Sequence, residues 1–430
     1  MGYNLVHYYT IPKPFMNPEP VKSKAIKSEL IYRKRYLERV RPFIGKQLIK
    51  VFTGQRRVGK SYLLLQLMQE IQAQNSSSAT NIIYINKEDL AFADIKTAGE
   101  LSEYVLAHKK IGQPNYVFID EIQEIDDFAV ALRSLLLDDE LDLYCAGSNA
   151  HLLSRDIAGS LSGRSIEIHV HSLSYFEFLQ FMQLPDDTHA MTQFLKFGGL
   201  PYLKELPLTE HIAFEYLRNI YSTIAVRDIV QRYALRNVQF LEQLTLFLAD
   251  NIGNLFSAKK ISDFLKSQRI TTNSTQVQNY VDYLANAFLI YKVPRYDIAG
   301  KRFFEIGEKY YFEDLGLRNA LIGYRVQDRG KLLENCVFNH LQIAGFTVKI
   351  GGIDSQEIDF IAEKDNEKLY VQVALTINEE KTLEREFGNL LKIQDNYPKY
   401  VVTMDDFEGN SVDGVQCLNL RAFLAMLEMG

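Results

Sequence analysis

Between residues 51 and 61 the chain reads VFTGQRRVGKS, and no other stretch constrains the fold as tightly. An apolar approach, Val51-Phe52-Thr53, leads into Gly54-Gln55-Arg56-Arg57-Val58-Gly59-Lys60-Ser61, and the leucine-rich run from Tyr62 to Met68 has the composition of a helix. A strand, a glycine-bearing loop and a helix start are the setting in which the spacing G-x-x-x-x-G-K-S binds phosphate. The helix N-terminus offers unpaired N–H groups and a partial positive charge, and glycine lets the loop turn its amides inward where a Cβ would obstruct. Residues Gly54, Gln55, Arg56, Arg57, Val58, Gly59, Lys60, Ser61 and Tyr62 are therefore the expected contacts of a nucleotide. Lys60 is the point charge for the β- and γ-phosphates and Ser61 a hydroxyl ligand of Mg2+, so ATP and Mg2+ are the expected ligands. Such a loop reads phosphates and leaves the base open.

A second signal lies about sixty residues on. Tyr116-Val117-Phe118-Ile119 reads as a buried strand, and Asp120 and Glu121 follow at its carboxyl end, where open α/β sheets bind their ligands. Asp120 is expected to hold Mg2+, directly or through water, and Glu121 to polarise the attacking water. The alternative use is as caps of a helix beginning at Ile122. Another strand, Leu141 to Gly147, ends in Ser148-Asn149. Asn149 either orients the water and senses the γ-phosphate or caps a helix around His151 to Ser154. Of Arg155 and Arg164, which follow, Arg164 is the preferred candidate for stabilising charge on the γ-phosphate, often from a neighbouring subunit. The competing reading is a surface ion pair.

At 430 residues the chain has room for two to four domains. Its 47% hydrophobic and 24% charged residues make it globular, and a net charge of -6 argues against a surface that is entirely a nucleic-acid footprint. Cys145, Cys336 and Cys417 are far apart and lack metal-ligand spacing, which fits a cytoplasmic protein. No signal peptide is evident and no apolar run is long enough to span a bilayer, so no membrane association is expected. Residues 1–28 form an arm punctuated by Pro12, Pro14, Pro18 and Pro20. Leu30 to Arg41 reads as a helix whose Arg33, Lys34, Arg35, Arg39 and Arg41 either touch phosphates or form a solvated face. Strands at 81–86, 116–120 and 141–147 alternate with helices at 92–109 and 128–136, the signature of an α/β parallel sheet with helices on both faces.

The runs TGQRRVGKS, FIDEIQEI, CAGSNAHLLS, LSGRSIEIHVHSLSYFEF and FGGLP together resemble the predicted AAA-superfamily ATPases of bacteria and archaea. The resemblance extends from about Leu30 to Met429. It implies that Gly54 to Ser61 are a Walker A loop, Asp120 and Glu121 a Walker B pair, Asn149 a sensor-like residue and Arg164 a candidate arginine finger. It further implies an ATPase core at 29–205, a helical lid with a winged-helix segment at 206–328, and at 329–430 a small α/β domain resembling the PD-(D/E)xK nuclease fold.

The residues beyond the core agree with that order. His211 to Tyr233 reads as one amphipathic helix whose Arg227-Asp228 either completes the nucleotide site as a lid or is a helix-surface pair. Helices at 241–252, 257–265 and 274–287 have helix-turn-helix spacing, and 288–293 with 309–312 supply a wing. If this is a DNA reader, Asn273, Thr275, Gln276 and Gln278 face the major groove while Lys259, Lys260, Lys266 and Arg269 meet phosphates, so residues 257–295 are the candidate DNA surface. The helix at 274–287 carries no Arg or Lys, and the same fold also serves as a docking lid. In the last domain Asp359 fits the first acidic position of a nuclease, but Gln372-Val373-Ala374 stands where an E-x-K is needed. A neutral amide and a methyl group then remove much of the electrostatic stabilisation of a phosphodiester transition state, so a nuclease-like fold without nuclease activity is expected, with Glu334 and Glu357 the only reserve for a metal. The eight histidines show no metal-ligand spacing. The expected protein is an AAA-type ATPase whose C-terminal modules engage nucleic acid or a partner. A nucleotide-gated switch that binds only protein is the alternative and an ATP-dependent nuclease the second, and the candidate partners are DNA, another protein or further copies of the chain in a homo-oligomer.

Overall fold

The computed structural model describes residues 31–74, 80–150, 161, 163–298, 300, 302–353, 356–377, 380–405 and 411–429. The arm at 1–28, the helix expected at 151–154 and Arg155 lie outside the described residues.

Helix α1 (Lys34–Val40) precedes β1 (Ile49–Thr53), which runs into the phosphate loop and α2 (Lys60–Gln74). Then follow β2 (Asn81–Asn86), α3 (Ala98–His108), β3 (Asn115–Asp120), α4 (Phe128–Leu135), β4 (Leu141–Ala146) and β5 (Ser165–His169). The five strands form a sheet of order β2-β3-β4-β1-β5, parallel throughout. Every residue of β1, β3 and β4 is buried, as expected of parallel strands covered on both faces. Neighbouring residues serve opposite layers. Phe52, Phe118 and Tyr144 pack with Leu63, Leu64 and Leu67 of α2, while Val51, Val117 and Leu143 pack with Leu101 of α3 and Leu132 of α4.

Beyond this sheet lie α5 (Tyr175–Met182), α6 (Thr188–Phe197), α7 (Glu210–Thr223), α8 (Val238–Asp250), α9 (Ala258–Ser267) and α10 (Ser274–Asn286). After α7 the chain widens into a π-helical stretch, Ile224–Gln231, so the single helix expected at 211–233 changes register halfway. Other boundaries shift for identifiable reasons. Thr97 and Glu100 form a capping box, which starts α3 at Ala98 and not at Phe92. α1 starts at Lys34, because Arg33 is turned inward. Its guanidinium is 3% exposed, pairs with Glu177 at 2.6 Å and donates to the carbonyls of Val58 and His171 at 3.0 Å. Arg33 is therefore neither a phosphate contact nor part of a solvated face: it fastens the phosphate loop to the start of α5.

The remaining elements are β6 (Ile290–Asp297), β7 (Arg302–Phe312), α11 (Leu315–Ile322), α12 (Arg329–Ile343), β8 (Thr347–Ile353), β9 (Gln356–Lys364), β10 (Glu367–Ala374), α13 (Glu380–Leu391), β11 (Lys399–Thr403), β12 (Ser411–Val412), β13 (Val415–Asn419) and α14 (Leu420–Met429). A second, eight-stranded sheet has the order β12-β13-β11-β10-β9-β8-β6-β7. The hairpin expected to be a wing thus forms its edge, with β6 parallel to β8 through Arg295 and Ile350. A boundary at 328/329 does not separate two sheets. The Gly198-Gly199 pair packs on the turn before α11, where a Cβ on Gly198 would come within 2.3 Å of the Asp314 carboxylate and the Gly199 amide donates to it at 2.7 Å. All three cysteines are free and buried. Among the described residues no helix is long and apolar enough to cross a membrane.

Candidate functional site

The phosphate loop follows β1 at the centre of the parallel sheet. Gly54 has φ +138°, and a Cβ there would lie 2.1 Å from the Val170 carbonyl oxygen, so no other residue fits. Lys60 is buried, and its ammonium donates to the carbonyls of Gly54 and Gln55 at 2.8 Å each. It closes the loop on itself. Val58 packs in the core and Gln55 and Arg56 are buried, whereas Arg57 and Tyr62 are exposed.

The Ser61 hydroxyl hydrogen-bonds Asp120, and burial pushes the Asp120 carboxyl up to about 6 despite that bond. Hydroxyl and carboxylate together are the hard oxygen donors that Mg2+ takes. Glu121 has left-handed backbone, φ 54°, and makes no capping bond, so the capping alternative fails: Ile122–Glu124 is a single 3-10 turn. Burial alone drives the Glu121 carboxyl up, but Lys60, Arg56 and the Gln123 amide outweigh it and hold it below its ordinary value. An ionised carboxylate beside the loop is what a base for water requires. The Ser148 hydroxyl donates to Glu121 at 3.4 Å. Asn149 is fully buried at the end of β4, next to the phosphate-loop strand.

Arg164 is exposed and precedes β5, whose Ser165 pairs with Ile49 and whose His169 pairs with Thr53. The whole length of the strand, about 16 Å, separates Arg164 from the loop. Within one chain it does not reach the phosphates.

A different arginine lies inside the loop itself. Arg56 makes a bidentate pair with Asp228 at 2.9 and 3.0 Å, with both side chains only 4% exposed, and lies 3.2 Å from Glu88 and 3.7 Å from Glu121. Arg227 meets Glu88 at 3.2 Å and Glu124 at 3.4 Å. The Arg227-Asp228 pair is therefore divided between the loop and the acidic rim and is not a helix-surface pair. The preceding loop residue also reaches far along the chain, since the Gln55 amide donates to the Phe288 carbonyl at 3.0 Å. Gln55 and Arg56 thus bind the end of the three-helix segment and the π-helical stretch respectively. Neither link was visible in sequence, where both residues count only as loop positions.

In the candidate DNA segment Lys259, Lys260, Lys266 and Arg269 are exposed. Asn273, however, caps α10 by accepting from the Gln276 amide at 2.8 Å, so its carbonyl is committed to the helix. In the second sheet Asp359 and Gln372 lie side by side, the Asp359 backbone amide donating to the Gln372 side-chain oxygen Oε1 at 3.3 Å. Lys309 on β7 brings an ammonium to this cluster. Its nitrogen lies 2.8 Å from Glu334, 2.7 Å from Glu357 and 3.5 Å from Asp359. Sequence reasoning missed this lysine because it lies 50 residues before Asp359. A cavity of about 500 Å³ opens beside Gly45, Gln113 and Asp142, at the amino ends of the strands, and is not part of the nucleotide site.

The parallel sheet, the loop closed by Lys60 and the acidic pair define an AAA-type P-loop protein that binds ATP. In agreement, residues 46–179 match an AAA domain, and residues 188–328 match a domain of unknown function. An uncharacterised protein of Haemophilus influenzae is 37% identical over 396 residues, covering 90% of this chain and 97% of that one. The uncharacterised protein MJ1544 of Methanocaldococcus jannaschii is 30% identical over 387 residues, covering 85% and 84%. The chain belongs to the family of these two proteins. Among solved structures it is similar to the Aeropyrum pernix ORC1 protein in complex with DNA, at 12% identity and a TM-score of 0.32 over 68% of this chain and 92% of that chain. It is also similar to C. elegans PCH-2, at 16% identity and a TM-score of 0.26 over 35% and 42%.

Proposed function

We propose that this protein hydrolyses ATP with Mg2+ and uses the cycle to change how its C-terminal elements engage nucleic acid or a protein partner. Ser61 and Asp120 hold the metal, Lys60 leaves the loop carbonyls for the β- and γ-phosphates, Glu121 polarises the attacking water and Asn149 orients it. Arg164 serves as a finger only toward a neighbouring subunit. The observation that carries the coupling is that consecutive loop residues, Gln55 and Arg56, are bonded to Phe288 and Asp228. Phosphate entering the loop competes for both bonds, so nucleotide state is felt outside the ATPase sheet.

Four exposed cations at 259–269 favour contact with phosphates, and the commitment of Asn273 to its cap disfavours base reading, so nucleic acid is engaged without sequence preference. The alternative is a switch that binds only protein. A nuclease is disfavoured because Gln372 is neutral and the Lys309 ammonium fills the space between the carboxylates. The test is steady-state ATP hydrolysis with and without duplex and single-stranded DNA, in wild type, Lys60→Ala and Glu121→Gln. Lys60→Ala is expected to lose nucleotide affinity, and Glu121→Gln to keep ATP bound but slow its hydrolysis. Unchanged turnover in Glu121→Gln sinks the base assignment, and a wild-type rate indifferent to DNA moves the reading to the protein switch.

A further inference from the structure

Behind the phosphate loop, the end of β5 meets the hairpin β6/β7 in a cluster that the ATPase reading does not use. His169, His171 and Glu313 place donor atoms within 4.8 Å of one another, and the Tyr291 hydroxyl lies among them. It is 2.9 Å from His169 Nε2, 3.3 Å from His171 Nδ1 and 2.5 Å from Glu313 Oε2. His171 Nδ1 is itself 3.2 Å from Glu313 Oε2. Although the histidines are only two positions apart, it is the hairpin, more than a hundred residues later, that completes the cluster.

Counting protons shows what the cluster lacks. The Thr53 hydroxyl lies 2.6 Å from a Glu167 oxygen, which can only accept, so its proton is spent there. The contact of 3.1 Å between Thr53 and His169 Nδ1 then requires the imidazole to donate, which fixes the proton on Nδ1 and leaves a lone pair on Nε2. That lone pair faces the Tyr291 oxygen. With a neutral His169 and an ionised Glu313 the phenol has one proton for two acceptors, His169 Nε2 and Glu313 Oε2, and whichever it serves, the other contact is lone pair against lone pair. Glu313 is 2% exposed, and its other oxygen accepts from the Ser172 amide at 2.8 Å. Its basic partner is the His171 imidazole, a positive charge only when protonated, and no lysine or arginine nitrogen is among its hydrogen-bond partners in the described residues. A buried carboxylate normally obtains a positive charge from a partner or a metal.

We propose that His169 Nε2, His171 Nδ1, Glu313 Oε2 and the Tyr291 oxygen are the four ligands of a first-row divalent cation, with zinc the best fit. Two imidazoles with two oxygen donors suit zinc, and four protein ligands leave no open position, so the centre is structural and not catalytic. Thr53, with Glu167 behind it, is the outer partner that fixes the His169 ring. A Tyr291 proton displaced on binding leaves to solvent. The cation would rivet the end of β5 to β6 and the end of β7, and through the Thr53 contact to His169 it would also steady β1 one residue before the phosphate loop begins at Gly54.

The test uses the full chain, purified without a metal-chelate column and kept in excess Mg2+ so that the nucleotide site does not compete. Metal analysis is expected to find one zinc per chain. After chelator treatment, Co2+ titration should give the visible bands of a four-coordinate centre, abolished by zinc. His169→Gln is expected to weaken Co2+ binding at least tenfold, and Tyr291→Phe, which preserves packing, to alter the band pattern. Absence of stoichiometric metal together with no four-coordinate Co2+ spectrum in the wild type overturns the proposal, whatever the variants do. So does a Co2+ spectrum that is the same in Tyr291→Phe and wild type.

Discussion

The link between the phosphate loop and the π-helical stretch is open to a quantitative test through a double-mutant cycle on Arg56 and Asp228. The pair is bidentate and almost fully buried. Removing one partner of such a pair costs about 3–5 kcal/mol, because it strands the other charge. The two single truncations are not equivalent. Arg56→Ala leaves Asp228 without its guanidinium and should cost in that range. Asp228→Ala leaves Arg56 with Glu88 at 3.2 Å and Glu121 at 3.7 Å, so the loss should fall to about 2 kcal/mol. The double variant strands neither charge, and the coupling energy should be about 1.5–3 kcal/mol. Nucleotide-free chemical unfolding followed by circular dichroism measures it. The functional arm uses Asp228→Asn, which keeps the shape but not the charge. Freed from its carboxylate, Arg56 should turn to the phosphates and tighten ATP binding up to about tenfold, or 1.4 kcal/mol, while any response to DNA or partner weakens. Effects that add to within about 0.5 kcal/mol, with ATP affinity unchanged in Asp228→Asn, refute the latch.

Two further outcomes follow from buried charge. Asp120 is raised from about 3.9 in the unfolded chain to about 6 when folded, so the folded state binds the proton more tightly between those values. Wild type should therefore lose about 2 kcal/mol relative to Asp120→Asn as pH rises from 4 to 6 without Mg2+, and parallel unfolding curves for the two proteins would contradict this. Lys309→Met leaves Glu334, Glu357 and Asp359 facing one another without their ammonium. It should destabilise the second sheet by about 3–5 kcal/mol at neutral pH, and less in acid as burial and Glu334 already favour the protonated form of Asp359; a thermal midpoint unmoved at pH 7 would show that the cluster is not held by that ion pair.

What the sequence revealed and what it hid divide along one physical line. The phosphate loop with Ser61, the strand that ends in Asp120 and Glu121, and the alternation of strands and helices are each contiguous patterns, fixed by local geometry and by the periodicity of burial. The Gly54 requirement is an extreme case, since the residue that excludes a Cβ, Val170, lies just after the neighbouring strand β5, yet the motif spacing already implies glycine. Arg33 shows the opposite. It sits in a basic run and looks solvated, but its partner Glu177 is 144 residues away and draws it alone into the core. Arg56 and Asp228 are 172 residues apart, and Gln55 and Phe288 are 233 apart. No pattern of spacing encodes which charged residues meet after folding. The eight-stranded sheet was missed for the same reason, because the pairing of β6 with β8 crosses α11 and α12.

That pairing determines what an ATP-driven change looks like. A free wing would swing by itself, but β6 is hydrogen-bonded on both sides, to β7 and to β8. Beside β6 lies the Phe288 carbonyl held by Gln55, and along β7 Lys309 reaches the acidic cluster while Glu313 follows its end. A strand fixed at this many points does not bend independently, since each lost ladder bond that stays buried costs about 1–3 kcal/mol. If nucleotide releases Gln55, the movement must be carried by the segments around the hairpin, through the π-helical stretch at 224–231 and the corner at 287–289, with β6 to β10 moving as one sheet. Amide hydrogen exchange with and without ATP in Glu121→Gln measures this directly. Protection should change at 224–231 and 287–289 and stay constant through Ile290–Asp297 and at 307–312. If exchange instead rises along β6 and β7 when ATP binds, the hairpin melts away from the sheet, and the phosphate loop is coupled to a flexible wing and not to a rigid body.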